Sequence, residues 1–255
     1  EVEHTLKTAG ATALVIPGVY RDFDHGAMIA GMLARLPALK HVFVLDGRPG
    51  PLRDFADLLR PHGYGAAELD AERPDPDAPA TVMLSGGTTS LSKLSPWSAN
   101  GLLNSLDAYA ECVGYGRGDV TAAIAPAGTG ATGYIYGLLS PLLQGATSVI
   151  LPRWKDPEEA IELILANRCT HAIGIPTQLT LMIPGLEKRE PTDFAAFKLF
   201  TNAGAPLSPE TAEKIERLMG CRIQTIYGAT DAGVPTMTTV DDPADKRLST
   251  AGRVV

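Results

Sequence analysis

The sequence predicts an α/β protein with largely parallel sheets and helices on both faces. Three observations carry this. Strand and helix patterns alternate from end to end. Runs rich in glycine and hydroxyls follow the predicted strands, where open α/β sheets place their ligand loops. Helix-start chemistry recurs after the later strands, as in Asp156-Pro157-Glu158-Glu159 and Ser208-Pro209-Glu210. There an Asp or Ser can cap the free N–H groups, and proline fits the first turn.

In order, residues 2–9 read as a helix, 12–16 as a strand, 25–36 as a helix, 41–45 as a strand and 52–59 as a helix. Residues 63–79 combine prolines with charge and lack periodicity, as in Ala71-Glu72-Arg73-Pro74-Asp75-Pro76-Asp77. They read as a link, and the main boundary is placed there, between 1–79 and 80–255. The apolar Val82-Met83-Leu84 ends a strand over 81–84, and a helix over 99–112, a strand over 120–125 and a helix over 134–143 follow. Next come a strand over 148–151, a helix from Asp156 to near Arg168, a strand over 171–175 and a short helix after Pro176. A strand over 198–201, the helix opened by Ser208, a strand over 222–226 and two short strands near 234–240 complete the expectation.

Composition narrows the function. The net charge is −7 with no Lys/Arg block, which argues against a nucleic-acid surface, since that must neutralise several phosphates at once. No run of apolar residues is long enough to span a membrane. The three cysteines, Cys112, Cys169 and Cys221, are far apart and lack C-x-x-C spacing, so neither a disulfide framework nor a zinc site is suggested. The cytoplasm is the default location. Glu1 starts without methionine, and Thr250-Ala251-Gly252-Arg253 reads as the start of another element. The expectation is a piece of a longer protein.

Four clusters carry chemistry. Ser85-Gly86-Gly87-Thr88-Thr89-Ser90-Leu91-Ser92-Lys93 has small residues that let backbone N–H groups approach an anion, hydroxyls that add donors, and a lysine that can follow a polyphosphate. It is not a Walker A loop, which needs glycine before the lysine and Ser/Thr after it. Gly128-Thr129-Gly130-Ala131-Thr132-Gly133 matches G-x-G-x-x-G, and Arg153 after the next strand could suit a 2′-phosphate, so an NADP-dependent oxidoreductase is the rival reading. Tyr227-Gly228-Ala229-Thr230-Asp231 offers a ring to stack on a base, a hydroxyl for a phosphate oxygen and a carboxylate for Mg²⁺. Asn202-Ala203-Gly204-Ala205-Pro206 leaves room for a flat ligand. Each alone could be a structural turn; after successive strands they can share one cleft. The five histidines lack metal spacing, and Tyr134, Tyr136, Trp97 and Trp154 read first as packing residues.

The order of these clusters resembles the adenylate-forming superfamily of acyl-CoA synthetases, aryl acid–AMP ligases, peptide-synthetase adenylation domains and luciferases. The wording is most similar to dihydroxybenzoate–AMP ligases. Residues 85–93 resemble that family's phosphate loop, 202–206 its adenine-site segment, 227–231 its Y-G-x-T-E motif, and 250–253 its T-x-G-R/K step. The resemblance implies part of the large N-terminal domain, with 1–79 in its first subdomain and 80–255 as the ATP-binding subdomain, and no C-terminal domain. It implies ATP-dependent conversion of an aryl, alicyclic or acyl carboxylic acid to an acyl-adenylate, then transfer to CoA or a phosphopantetheinyl carrier protein. ATP would be bound by Ser85, Gly86, Gly87, Thr88, Thr89, Ser90 and Lys93, and by Gly204, Ala205, Pro206, Tyr227, Gly228 and Thr230. Lys93 and Thr230 would be catalytic, and Asp231 would hold Mg²⁺. Gly128, Thr129, Tyr134, Asn202 and Ala203 would line the carboxylic acid site. Ser90, Ser92 and Asp231 depart from the family's Gly, Pro and Glu, and Thr129 and Gly130 stand where a carboxylate-pocket His and Asn are usual. A nucleotide-binding remnant without catalysis is the non-enzymatic alternative.

Overall fold

The computed structural model describes residues 1–45, 52–85, 91–126, 128 and 130–255. They form two compact units, 1–75 with 84–95, and 76–83 with 96–255.

The first unit runs α1 (Val2–Thr8), β1 (Ala13–Pro17), β2 (Val19–Tyr20), β3 (Phe23–Asp24), α2 (His25–Ala30), β4 (His41–Leu45), β5 (Arg53–Asp54) and α3 (Ala66–Ala71). β1, β4 and β5 make a parallel sheet, with Ala13 opposite His41 and Phe43 opposite Arg53. Leu6, Ile16, Ile29, Leu36, Val42 and Val44 fill its core. Three expectations need correction. The helix expected over 25–36 stops at Ala30, and a separate 3-10 turn follows at Leu33–Arg35. The helix expected over 52–59 is strand β5 and then a 3-10 helix, Phe55–Leu59, which begins where the Asp54 carboxylate accepts the Ala56 N–H at 2.9 Å. The link contains α3, whose Glu68 carboxylate turns back to accept the Gly65 N–H at 2.8 Å.

β6 (Pro79–Leu84) and β7 (Leu94–Ser98) form a two-stranded ribbon bracketing the first glycine loop. β7 was not among the expected strands, and it contains Pro96. A two-stranded ribbon tolerates it, since an edge has N–H positions that need no ladder partner.

In the second unit come α4 (Ala99–Val113), β8 (Val120–Ala123), a π-helix (Ala131–Leu139), α5 (Ser140–Leu143), β9 (Thr147–Ile150), α6 (Pro157–Ala166), β10 (His171–Gly174) and α7 (Pro176–Leu186). Then follow β11 (Leu199–Asn202), α8 (Pro209–Met219), β12 (Arg222–Ala229), β13 (Gly233–Met237), α9 (Ala244–Ser249) and β14 (Arg253–Val254). The sheet order is β9-β8-β10-β11-β12-β13-β14. The first five strands are parallel, and β13 and β14 add antiparallel.

Alternate residues of the central strands bury on opposite faces. Ala172, Phe200 and Ile223 pack with α6, α7 and α8, while Ile173, Leu199 and Ile226 pack with α4 and the π-helix. The expected doubly covered α/β sheet is therefore what the sequence makes. Asp156 and Ser208 cap α6 and α8 as read, accepting the N–H groups of Glu158 and Thr211.

Two corrections fall here. The helix expected over 134–143 is a π-helix continuing into α5, and Gly137 lies so close to β8 that a Cβ would sit 3.0 Å from that of Ala123. Of the pair of short strands expected near 234–240 one forms, β13, which pairs with β12 and β14; residues 238–240 are not strand, and α9 follows at Ala244–Ser249.

The chain leaves β8 toward β9, then crosses back to β10 and builds outward the other way. The connections leaving β8 and β10 therefore go to opposite faces, to the π-helix and to α7, the arrangement in which open sheets seat ligands. Gln178 of α7, buried, ties these two ends: its Nε2 donates to the Ile124 carbonyl at 3.0 Å and its Oε1 accepts the Ile175 N–H at 3.1 Å.

Candidate functional site

A cleft of about 370 Å³ opens beyond the carboxyl ends of β11 and β12. Its first wall is Gly204, Ala205, Pro206 and Leu207, the segment leaving β11, and its second is 225–228 of β12. Of the six ATP-binding residues expected in these two clusters, Gly204, Ala205, Pro206, Tyr227 and Gly228 border this one cleft and Thr230 does not. Tyr227 is 59% exposed, so one side of its ring is open to a planar ligand. The volume lies within the range of small-molecule sites, and the lining is mostly apolar with backbone edges, which suits a heterocyclic base.

The third wall, 248–251, did not emerge from the sequence as part of a cleft. It is the end of α9 and the residues after it, and α9 is tethered from below. Arg247 is fully buried; its Nη1 donates to Glu216 of α8 and to the Ile223 carbonyl at 2.7 Å, and its Nη2 reaches the other Glu216 oxygen at 3.3 Å. Glu216 also accepts the Ile223 N–H at 2.7 Å. One ion pair thus joins α8, β12 and α9. No sequence signal marked it, because Arg247 and Glu216 are 31 residues apart on polar-looking helices.

β12 and β13 form a tight hairpin whose turn is 230–232, closed by the Ala232 N–H on the Ala229 carbonyl at 3.1 Å. Thr230 is half-buried and Asp231 exposed at this turn. The glycine of the Y-G-x-T cluster has a backbone reason: a Cβ on Gly228 would lie 2.5 Å from the Gly233 carbonyl oxygen. Gly252 is equally constrained, at a φ of +81° and with a Cβ position 2.0 Å from the Met237 carbonyl carbon. Asp231 borders a second cleft, of about 450 Å³, between this hairpin and the start of α4, with Trp97 and Asn104 on its far side. A lone exposed carboxylate fits Mg²⁺ held jointly with substrate phosphates, a cation that keeps several waters and needs few protein ligands. Among the described residues no group of three or more His, Cys, Asp or Glu could hold a metal by itself.

In the first glycine loop, Gly86, Gly87, Thr88, Thr89 and Ser90 lie outside the described residues. Its two ends are held together, the Ser85 N–H donating to the Lys93 carbonyl at 3.0 Å and the Lys93 N–H to Ser85 Oγ at 3.3 Å. Lys93 is exposed, and Ser92 donates to Glu1 at 2.8 Å.

Of the expected carboxylic acid site, Thr129 lies outside the described residues. Neither cleft is bordered by Gly128, Tyr134, Asn202 or Ala203. Asn202 is fully buried and its Nδ2 donates to the Ala205 carbonyl at 3.1 Å, shaping the first wall from behind. Ala203 is buried with α4, Tyr134 is half-buried against the same core, and Gly128 is exposed. Tyr136 packs as read, with its hydroxyl 2.8 Å from Ser105. The histidine reading also holds for His171: buried beside Thr170 at 2.7 Å, it is a core residue, and burial lowers its pKa to about 4, against the opposing pull of Asp119.

Fold and cleft together define an open α/β sheet protein that receives a ligand beyond its strand carboxyl ends. The chain belongs to the AMP-binding enzyme family, whose model matches residues 1–255. It is 32% identical to a 2-hydroxy-7-methoxy-5-methyl-1-naphthoate–CoA ligase of Streptomyces carzinostaticus, over all of this chain and 46% of that protein (100% and 46%). It is 30% identical to a salicyl-AMP ligase/salicyl-S-ArCP synthetase of Mycobacterium tuberculosis, covering 99% of this chain and 44% of that one. The apo structure of MbtA from Mycobacterium smegmatis superposes with a TM-score of 0.84 at 26% identity, over 100% of this chain and 45% of that one. The chain thus spans a little under half the length of these relatives, and its fold is that of part of the N-terminal domain of adenylate-forming enzymes.

The family removes the dinucleotide reading of residues 128–133. Their geometry agrees: the run leads into a π-helix instead of an α-helix N-terminus, with Gly130 at φ +60° and ψ −134°. No helix among the described residues is long and apolar enough to cross a membrane.

Proposed function

We propose that this chain is the nucleotide-binding part of an enzyme that activates an aromatic carboxylic acid with ATP and passes the acyl group to a thiol. The observation that carries the reading is the single cleft bordered by Gly204, Ala205, Pro206, Tyr227 and Gly228, in a chain of the AMP-binding family. The aromatic class rests on relatives named for naphthoate and salicylate.

In the proposed reaction an oxygen of the substrate carboxylate attacks the α-phosphorus of ATP. The bond from that phosphorus to the bridging oxygen breaks, and pyrophosphate leaves with the electron pair. A thiol, of CoA or of a carrier protein, then attacks the acyl carbon and releases AMP. Tyr227 stacks on the base, and the 204–206 backbone borders it. Ser85 and residues 86–90 wrap the outer phosphates, Lys93 offsets charge on the leaving pyrophosphate, and Thr230 donates its hydroxyl to a phosphate oxygen. Asp231 would hold Mg²⁺, which would neutralise phosphate charge. Gly128, Thr129 and Tyr134 would border the carboxylic acid, with buried Asn202 and Ala203 shaping its surroundings from behind.

The test is carboxylate-dependent exchange of labelled pyrophosphate into ATP by the complete gene product, with a panel of benzoates, salicylates and naphthoates. Exchange with at least one acid is expected. ATP binding without exchange for any acid would favour the nucleotide-binding remnant, and no ATP binding would refute the reading.

A further inference from the structure

Trp97 has the sequence signature of a packing residue, but its indole N–H is engaged. Nε1 donates to the Thr230 main-chain carbonyl at 2.8 Å, across 133 residues of sequence. That carbonyl belongs to the three-residue turn carrying Asp231. Resting on the adenylation reading above, we propose that Trp97 is a positioning residue that latches the 230–232 turn, and so fixes where Thr230 and Asp231 meet the nucleotide phosphates and the cation.

Three observations support the latch. First, the ring fills the space behind the turn: a Cβ added at Gly233 would stand 3.0 Å from Trp97 Cη2 and 3.1 Å from Ser105 Oγ. Gly233 has a φ of +68°, the left-handed residue that closes a three-residue hairpin turn, so the indole rests on the residue that sets the turn's geometry. Second, the floor beside the ring is fixed, since Ser105 is bonded to the hydroxyl of buried Tyr136. Third, Asp231 and Ala232 are exposed, so they have little packing of their own to hold the turn. Hydrogen-bonded to Trp97 on one side and closed by Ala232 on the other, the turn is held at both ends. In sequence Trp97 lies four residues after Lys93, so one short segment supplies both a phosphate-side charge and the latch.

The chemistry gives such a latch a purpose. A carboxylate on an exposed turn is a poor metal ligand unless its backbone is held, because misplacement by about 1 Å can lower rate by orders of magnitude. Trp97→Phe keeps an aromatic ring and removes the donor. Benzothienylalanine at the same position keeps the bicyclic shape and puts sulfur in place of the N–H.

Both variants are to be made in the complete gene product. We expect pyrophosphate exchange to lose about 5- to 20-fold in kcat, the value of one hydrogen bond felt in the transition state. KM for the acid should stay within about twofold, and the Mg²⁺ concentration for half-maximal rate should rise about threefold, because orientation and not acid binding is lost. Amide hydrogen exchange should quicken across 229–234 while α8 keeps wild-type protection. Wild-type kcat and Mg²⁺ dependence in the benzothienylalanine protein would overturn the inference, as would equal loosening of α8, which marks general destabilisation. If the wild type itself shows no carboxylate-dependent exchange, the adenylation reading falls and takes the positioning role with it. An active wild type with an unaltered hairpin in both variants overturns the latch alone.

Discussion

Glu216→Ala should damage this chain more than Arg247→Met, although the two residues form one ion pair. Arg247 has no exposed surface, whereas the Glu216 side chain keeps 16%. Removing Glu216 strands a guanidinium beneath α9 with the Ile223 carbonyl as its remaining acceptor among the bonds described, and also leaves the Ile223 N–H without its carboxylate. Stranding a buried charge in this way costs about 3–5 kcal/mol. Removing Arg247 instead leaves Glu216 bonded to the Ile223 N–H and able to rehydrate at the edge, while methionine refills much of the volume; about 1–2 kcal/mol is expected. For a chain of this size the first loss corresponds to about 6–20 °C in Tm. Urea and thermal unfolding of the two variants measure the difference directly. ATP titration adds a second readout, because α9 supplies the third wall of the cleft and Glu216→Ala should weaken nucleotide binding without touching the ligand. Equal losses below about 1 kcal/mol in both variants would refute the reasoning, since neither residue could then be a buried half of a pair.

Other outcomes follow from single features. His171 has its pKa lowered to about 4 by burial, so between its ordinary 6.5 and about 4 the unfolded chain takes up a proton that the folded chain refuses. Stability must fall as pH drops through that window, by up to about 3 kcal/mol, and His171→Asn should flatten the Tm profile there; parallel profiles for wild type and variant would count against it. Below that range Asp119 acts in the same direction: burial alone would raise its pKa, but bonds from Lys198 and the Gly116 N–H hold it low, so its contribution is lost on further acidification. Tyr227→Ala should weaken ATP binding about 5-fold or more and Tyr227→Phe by less than about twofold, as a stacking ring requires; equal losses seen by calorimetry would assign the hydroxyl instead. Gly228→Ala places a methyl 2.5 Å from the Gly233 carbonyl oxygen; it should open the β12–β13 hairpin, cost about 2–4 kcal/mol and speed amide exchange on both strands, and a wild-type melting curve would show that the hairpin is looser than described.

Much of the fold was legible because local signals and tertiary demands coincide in the second unit. Short strands at β8, β10 and β11, buried along most of their length, need both faces covered, and the caps at Asp156 and Ser208 point the helices between them. Reading failed where tertiary contacts select among similar local states. Periodicity at 134–143 is equally compatible with α and π turns, and the seat of Gly137 on β8 is invisible in sequence. A helix of six residues, such as α3 or α9, leaves too short a pattern to distinguish from a polar loop. The cleft was half legible for the same reason. Its strand-end walls carry small residues and an aromatic in recognisable order, whereas the 248–251 wall depends on an ion pair formed 31 residues away. Trp97 packs against the core as read, but its bond to the turn left no mark, because an indole that packs and an indole that also donates look alike in sequence.

The tether at Arg247 has a consequence for adapting the cleft to other ligands. One wall, 225–228, lies within strand β12 and another follows β11, so changing them acts on the sheet itself. The remaining wall is four residues beyond an anchored helix end, and apart from Leu248 its side chains are exposed. Libraries confined to Ser249, Thr250 and Ala251 would therefore vary the width and polarity of the cleft's rim while the sheet beneath stays unaltered, making this short stretch the natural place to alter ligand preference.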